Sequence, residues 1–245
     1  MRNFYLGIKF SLSYFSIFPV SFSKNDDLSN PTILGSMLFF FPFVGLILGF
    51  MTVGIYLFFE HFGWYGAIIS AVLYMMMYGF IHTEAIIDVV DAIYARHSGK
   101  DAYDVIKEST VGAMGVLYAV GFMLLKIAGI IYLLIHSMFS EFISILIISR
   151  LSLLMLIDTL EFRSSFVSQL KESLNWKVLI SSFLLTLLVG SLLNPLFIII
   201  MVFGFVLALS IAIILGKQLG FLNGDVLGAT LEIVELILFM IIALF

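Results

Sequence analysis

Glu84, Asp88 and Asp91 stand at positions i, i+4 and i+7 of an otherwise apolar stretch, Ile81-His82-Thr83-Glu84-Ala85-Ile86-Ile87-Asp88-Val89-Val90-Asp91-Ala92. On a helix these three carboxylates share one face, one turn above another. They repel one another, and no basic residue separates them. A cation between them would relieve the repulsion, and carboxylate-only ligation suits a hard divalent ion such as Mg2+ or Mn2+. A solvated acidic helix end would also account for the residues. However, the surrounding Ile86, Ile87, Val89 and Val90 make an acidic stripe costly here, which marks it as a functional candidate.

Two further polar blocks follow. Asp101, Asp104, Lys107, Glu108, Ser109 and Thr110 precede Gly112-Ala113-Met114-Gly115, with Asp104 and Glu108 at i, i+4 and glycines that permit close backbone approach. Near the C-terminal end, Asn223-Gly224-Asp225-Val226-Leu227-Gly228-Ala229 opens an apolar run holding Glu232 and Glu235. Asp225, Glu232 and Glu235 fall at i, i+7 and i+10, one helix face. Glutamates inside an apolar helix need partners, and Lys126 and Arg150, both in apolar stretches, are the basic candidates. Of the four histidines, His61 and His136 fall in short connections, His97 lies in a polar loop, and His82 precedes the acidic stripe. There it could serve as a base, as part of a metal shell, or simply as an interfacial residue.

The elements that must hold these groups are membrane helices. The 245 residues are 62% hydrophobic and 11% charged, against roughly 25% charged in soluble domains. One domain, residues 1–245, accounts for the length. The absence of cysteine excludes disulfides, zinc–thiolate sites and a cysteine nucleophile. The net charge of −4 argues against nucleic acid as a partner. A span needs about 20 mostly apolar residues, and such stretches run near Ile33–Phe59, Trp64–Ile81, Val111–Ile135, Phe142–Ile157, Val178–Leu193, Leu196–Leu215 and Val226–Phe245. The expected fold is therefore all-α, a polytopic bundle of about seven spans. Pro42 predicts a kink or break in the first span, and Asn194-Pro195 a tight turn between the fifth and sixth. The second span is expected to continue as helix through the acidic stripe. Residues Met1–Val20 lack a cleavage site and read as a retained segment, either an interfacial helix or a half-span.

With the N-terminus inside, Arg2, Lys9, Lys24, Arg96, Lys100, Lys107, Arg163, Lys171, Lys177 and Lys217 all fall on the inner side and none outside, as the positive-inside rule requires. The long loops, and with them the polar blocks, share that cytoplasmic side.

In ordered motifs through most of its length, the chain resembles the cobalamin synthase (adenosylcobinamide-GDP ribazoletransferase) family. Phe18-Pro19-Val20 and Phe41-Pro42-Phe43-Val44-Gly45 are similar to its early Pro-Val and Pro-Leu-Val-Gly stretches. His82, Asp88 and Asp91 match its His/Asp signature, with Glu84 in place of an aspartate and Ala85 and Ala92 in place of glycines. Lys107-Glu108-Ser109-Thr110-Val111-Gly112 resembles its Lys-Asp-Ser-Arg-Ile-Gly block, with Glu108 for Asp and Thr110 for Arg. Gly224-Asp225-Val226-Leu227-Gly228-Ala229 matches its late Gly-Asp-x-Leu-Gly-Ala motif.

The resemblance implies an enzyme of the cell inner membrane, with several spans and a cytoplasmic active face. It would join adenosylcobinamide-GDP to alpha-ribazole or its 5′-phosphate and release GMP. Such phosphoryl transfer needs charge neutralisation and alignment more than covalent help. On that reading Glu84, Asp88 and Asp91 hold Mg2+ or Mn2+, with Asp225 completing or bracing the site. Asp91 or His82 is the base, and Lys107, Glu108, Ser109 and Gly112 contact the substrate. The partners implied are the two substrates, the lipid bilayer, further copies of the chain and other corrinoid-pathway enzymes. The alternatives are a CDP-alcohol phosphotransferase, of whose motif Asp91-Ala92-Ile93-Tyr94-Ala95-Arg96 is a partial echo, and an ion-coupled transporter using Glu232, Glu235 and Arg150.

Overall fold

The computed structural model describes residues 2–108 and 110–244. The chain forms a helical bundle of α1 (Arg2–Phe15), α2 (Pro31–Phe59), α3 (Trp64–Met77), α4 (Ile81–His97), α5 (Ala102–Val105), α6 (Ala113–Ile135), α7 (Phe139–Thr159), α8 (Ser165–Ser173), α9 (Trp176–Leu193), α10 (Phe197–Leu219) and α11 (Gly224–Ile242). A short 3-10 turn, Glu60–Phe62, joins α2 to α3. Helix starts follow capping chemistry. The side chains of Asn30, Ser164, Asn175 and Asn223 each accept a backbone N–H of the following turn.

Helix α7 is the axis of the bundle. It is buried along nearly its whole length and packs on α2, α10, α11, α9 and α6. Outer helices keep broad apolar faces exposed, among them Leu117, Leu124 and Leu125 on α6, Leu188 and Leu192 on α9, and Ile199 and Val206 on α10. Water would not solvate such faces; lipid does. Five helices are long and apolar enough to cross a membrane, and the bent pair α3–α4 makes a sixth. The protein is a polytopic membrane bundle.

A helix occupies most of each of the seven expected stretches, but the inventory of spans differs from expectation in three ways. Helix α11 is 19 residues long, yet it carries Asp225, Glu232 and Glu235 and so falls outside the group that qualifies on apolarity. The expected continuous helix from Trp64 through Ala92 breaks after Met77, and α4 leaves α3 at 76°. Gly79 and Phe80 adopt left-handed φ values of 66° and 55°, which no α-helix can propagate through. Third, α2 is one helix through Pro42, so of the expected kink or break the break is absent.

The long connections gather at one end. The Arg163 N–H donates to the carbonyl of Leu222 (2.7 Å). Arg96 donates to the carbonyls of Lys217 (3.2 Å) and Gln218. The Tyr103 ring meets Phe221 edge-on at 5.1 Å. Helix α1 packs on α2 and is tied to its connector by the Arg2–Asp26 ion pair (2.6 Å), whose hydrogen bond holds the Asp26 carboxyl below its ordinary range. At 14 residues, α1 is too short to span.

Inside the bundle, four fully buried charges close on one another. Lys126 of α6 bridges Glu232 (2.6 Å) and Glu235 (2.7 Å) of α11, and Arg150 of α7 bonds Glu235 (2.7 Å). Tyr74 of α3 donates to Glu235 (2.9 Å) and Ser149 donates to it as well (2.9 Å). Thr83 of α4 donates to Glu232 (3.3 Å). Two cations and two carboxylates cancel. Unpaired charge in such a place is expensive, whereas paired and hydrogen-bonded charge holds helices in one register. This is the pairing expected from the sequence. Lys126→Met would leave Glu232 with no cation and Glu235 with Arg150 alone, and should cost about 3–5 kcal/mol. A large fall in melting temperature in detergent, absent for the exposed Lys24→Met, is the expected result. An unchanged midpoint would show that the quartet does not hold the bundle.

Candidate active site at the loop-bearing end

Helix α4 presents Glu84 exposed and Asp88 and Asp91 half-buried. Helix α11 brings Asp225 to the same place, and two local features aim it. Asn223 caps α11 by accepting the Val226 N–H (3.0 Å), while its amide donates to Asp225 Oδ2 (2.7 Å). One turn further on, Gly228 lies so close to α4 that an added Cβ would sit 2.8 Å from the Cβ of Ala85. Only glycine permits that approach. As a result, Asp88 stands within electrostatic reach of Asp225, Glu84 and Asp91, and Asp225 within reach of Glu84. Among the described residues, Glu84, Asp88 and Asp225 form no salt bridge.

Asp91 is engaged differently. Its two oxygens accept the backbone N–H groups of Gly112 (2.6 Å) and Gly115 (2.8 Å) at the start of α6. A carboxylate at a helix N-terminus satisfies orphan donors and complements the helix dipole. A Cβ on Gly115 would come within 2.6 Å of Asp91 Oδ2, and one on Gly112 closer still to Oδ1. Asp91 and Gly112, expected in separate roles as metal ligand or base and as substrate contact, are here two halves of one interaction.

Lys107 is exposed, with its Nζ 3.9 Å from the centroid of the Tyr103 ring. The guanidinium of Arg163, from the α7–α8 connection, lies 3.5 Å from the same centroid. Glu108 accepts from the Thr110 hydroxyl (3.2 Å), and Ser109 lies outside the described residues. Helix α5 ends at Val105, so Asp104 and Glu108 do not share the expected helical face. Sequence reading missed Tyr103, Arg163 and Asn223. Asn223 had a local signal, since an asparagine two residues before an acidic first turn is a cap pattern. Arg163 had none, because only tertiary packing brings it here.

His82 is 6% exposed. Its ring lies near-parallel to Phe15 and Tyr78, at 6.2 and 6.0 Å between centroids, and its Nε2 is buried without a hydrogen-bond partner among the described residues. With Asp225, Gly224 and Gly228 it lines a cavity of ≈ 160 Å³, whose other walls are mainly apolar side chains of α1, α2, α7 and α8. Tyr14 lines the same cavity. Burial, and after it the Asp225 carboxylate, push its hydroxyl above the ordinary range, so it stays protonated.

The donor set fits a hard divalent cation in chemistry, being carboxylate oxygen without competing bases. Among the described residues no three acidic or histidine side chains are grouped closely enough to hold an ion by themselves. Mg2+ is commonly held by one or two carboxylates together with substrate phosphates rather than by an all-protein cage, and Glu84, Asp88 and Asp225 are suited to that arrangement.

Comparison with known proteins places these features in a family. The model for cobalamin-5-phosphate synthase matches residues 7–243. An adenosylcobinamide-GDP ribazoletransferase of Clostridium perfringens is 30% identical over 53% of this chain and 51% of its own, so the match spans about half of that relative. Proteins of the same name from Brevibacillus brevis and Chlorobium phaeovibrioides are 26% and 29% identical. These matches cover 82% and 84% of this chain, and 85% and 86% of the relatives. No solved structure matches. With a match across nearly its whole length, the chain belongs to the cobalamin-5-phosphate synthase family.

Proposed function

We propose that the protein is an adenosylcobinamide-GDP ribazoletransferase. A ribose hydroxyl of alpha-ribazole, or of its 5′-phosphate, attacks the phosphorus that carries the cobinamide. The new P–O bond forms as the bond to the bridging oxygen breaks, and GMP leaves. The observation that carries this reading is the convergence of Glu84, Asp88 and Asp225, without basic partners among the described residues, at the end of a bundle whose family is known.

In such a transfer the transition state is loose, and catalysis is mostly positioning and charge stabilisation. Glu84, Asp88 and Asp225 would hold a divalent ion, which when bound neutralises diphosphate charge. Lys107 and Arg163, which share the Tyr103 ring, supply cationic charge from the loops toward the departing nucleotide. Asp91 positions the start of α6. Of the two groups expected as base, Asp91 has both oxygens engaged by backbone N–H groups, whereas His82 Nε2 has no hydrogen-bond partner among the described residues. We therefore assign the hydroxyl proton to His82. The basic residues of the connections at this end favour a cytoplasmic active face of the inner membrane, where nucleotide substrates are found.

Two assays test this. Purified protein given both substrates should release GMP and form the joined corrinoid with Mg2+, stop with EDTA, and lose turnover in a folded Asp88→Ala variant. Full activity of that variant would remove the carboxylates from the chemistry. In the same assay His82→Asn should lower kcat by about 100-fold or more, within the usual range for losing a general base. Asp91→Asn keeps one oxygen acceptor and should lower thermal stability more than kcat. The reverse ranking would return the base to Asp91.

A further inference from the structure

A second stripe of α4 lies roughly 140° round the helix from Glu84, Asp88 and Asp91 at 3.6 residues per turn. Its members Val90, Ile93, Tyr94 and His97 line a depression of ≈ 400 Å³ together with Tyr118 of α6 and Gln218 of α10. Through His97 and Gln218 it runs into another of ≈ 380 Å³, whose other lining residues are Arg96 and Lys217. One end of this groove is therefore basic, and the other apolar and aromatic. Among the described residues no acidic side chain lines either part, and Arg96, His97 and Lys217 form no salt bridge. His97 Nδ1 bonds the Ile93 carbonyl (2.8 Å), which leaves Nε2 for an outside ligand. One turn before His97, the hydroxyls of Tyr94 and Tyr118 meet at 3.0 Å. One donates to the other, so one hydroxyl hydrogen remains available. The flanking helices are lipid-facing here: Leu117 and Val120 of α6 and Ile213 and Ile214 of α10 are exposed.

We propose that this groove binds an anionic phospholipid of the surrounding leaflet, with the phosphate at Arg96, His97 and Lys217 and an acyl chain along Val90 and Ile93. Basic side chains at the end of apolar helices attract anionic headgroups, and here the cations have no carboxylate of the protein to answer them. A soluble phosphate would match the basic end but leave the apolar part wet. A glycerolipid covers both. Its ester carbonyls follow directly on its phosphate, as the tyrosine pair follows directly on His97, and tyrosine rings favour this boundary between apolar and polar surroundings. A lipid seated here touches α4, α6 and α10 at once, and so stabilises the end of the bundle that Arg96 already ties together through the carbonyls of Lys217 and Gln218. The groove lies away from the acidic group of α4, so the proposal does not depend on the transferase reading.

The test is titration of the full-length protein in neutral detergent with phosphatidylglycerol and with phosphatidylcholine of the same chains, with bound lipid counted by native mass spectrometry. Phosphatidylglycerol should bind about tenfold or more tightly, since each basic side chain contributes about fivefold toward an anionic headgroup. Lys217→Gln keeps the backbone carbonyl that Arg96 uses and should weaken phosphatidylglycerol by about fivefold. Lys24→Gln, which removes a basic side chain of the α1–α2 connection, should not. Gln218→Trp fills the part of the groove common to both depressions. It should weaken both lipids and abolish the rise in melting temperature that phosphatidylglycerol gives the parent protein. Equal binding of the two lipids, or one affinity shared by Lys217→Gln and Lys24→Gln, would overturn the proposal. Displacement of the lipid by equimolar glycerol 3-phosphate would assign the basic end to a soluble phosphate and overturn it equally.

Discussion

The buried quartet of Lys126, Arg150, Glu232 and Glu235 fixes the rotation of α11, and the rest of the site depends on that rotation. Glutamates in the interior of a membrane helix can point only toward compensating charge. Lys126 on α6 and Arg150 on α7 stand on the sides from which they can supply it. Because Asp225 lies seven residues before Glu232, it falls on the same face as the glutamates. Turning Glu232 and Glu235 inward therefore turns Asp225 toward α4. Thr83, one residue before Glu84, bonds Glu232, so the helix bearing the acidic stripe is referenced to the same charges. The interior electrostatics of the bundle and the geometry of its reactive end are consequences of one alignment.

The acidic stripe of α4 divides its labour. Its lower member, Asp91, holds the first turn of α6 through two backbone N–H groups, and Gly112 and Gly115 leave the room for that contact. Its upper members, Glu84 and Asp88, meet Asp225 across the close contact between Ala85 and Gly228. One carboxylate thus braces the loop, while among the described residues Glu84 and Asp88 form no salt bridge. Three like charges that repel in the sequence are accommodated because one is neutralised by a helix terminus and the rest face a place where cationic charge is wanted.

Much of this was legible in the chain. The apolar stretches located the long helices to within a few residues, since lipid-facing helices are marked by composition alone. Lys126 and Arg150 were identifiable as partners of Glu232 and Glu235, since few other charges lie in apolar segments. The break at Gly79-Phe80 was not visible, because a left-handed phenylalanine carries no periodic signal. The pairing of Asp91 with Gly112 and Gly115 was hidden for a different reason: spacing within a helix reports which side chains share a face, and says nothing of the backbone donors another helix will bring. Arg163 reaches Tyr103 only through the packing of two separate connections.

The central claim is that Glu84, Asp88 and Asp225 act together on a divalent ion shared with a diphosphate. Its most direct test is the electron paramagnetic resonance of Mn2+ titrated into the full-length protein in the presence of adenosylcobinamide-GDP. The account predicts a bound-ion spectrum that is lost in Asp88→Ala and in Asp225→Ala but retained in Asp104→Ala, whose carboxylate lies outside the group. Bound Mn2+ that persists in both of the first two variants would contradict it.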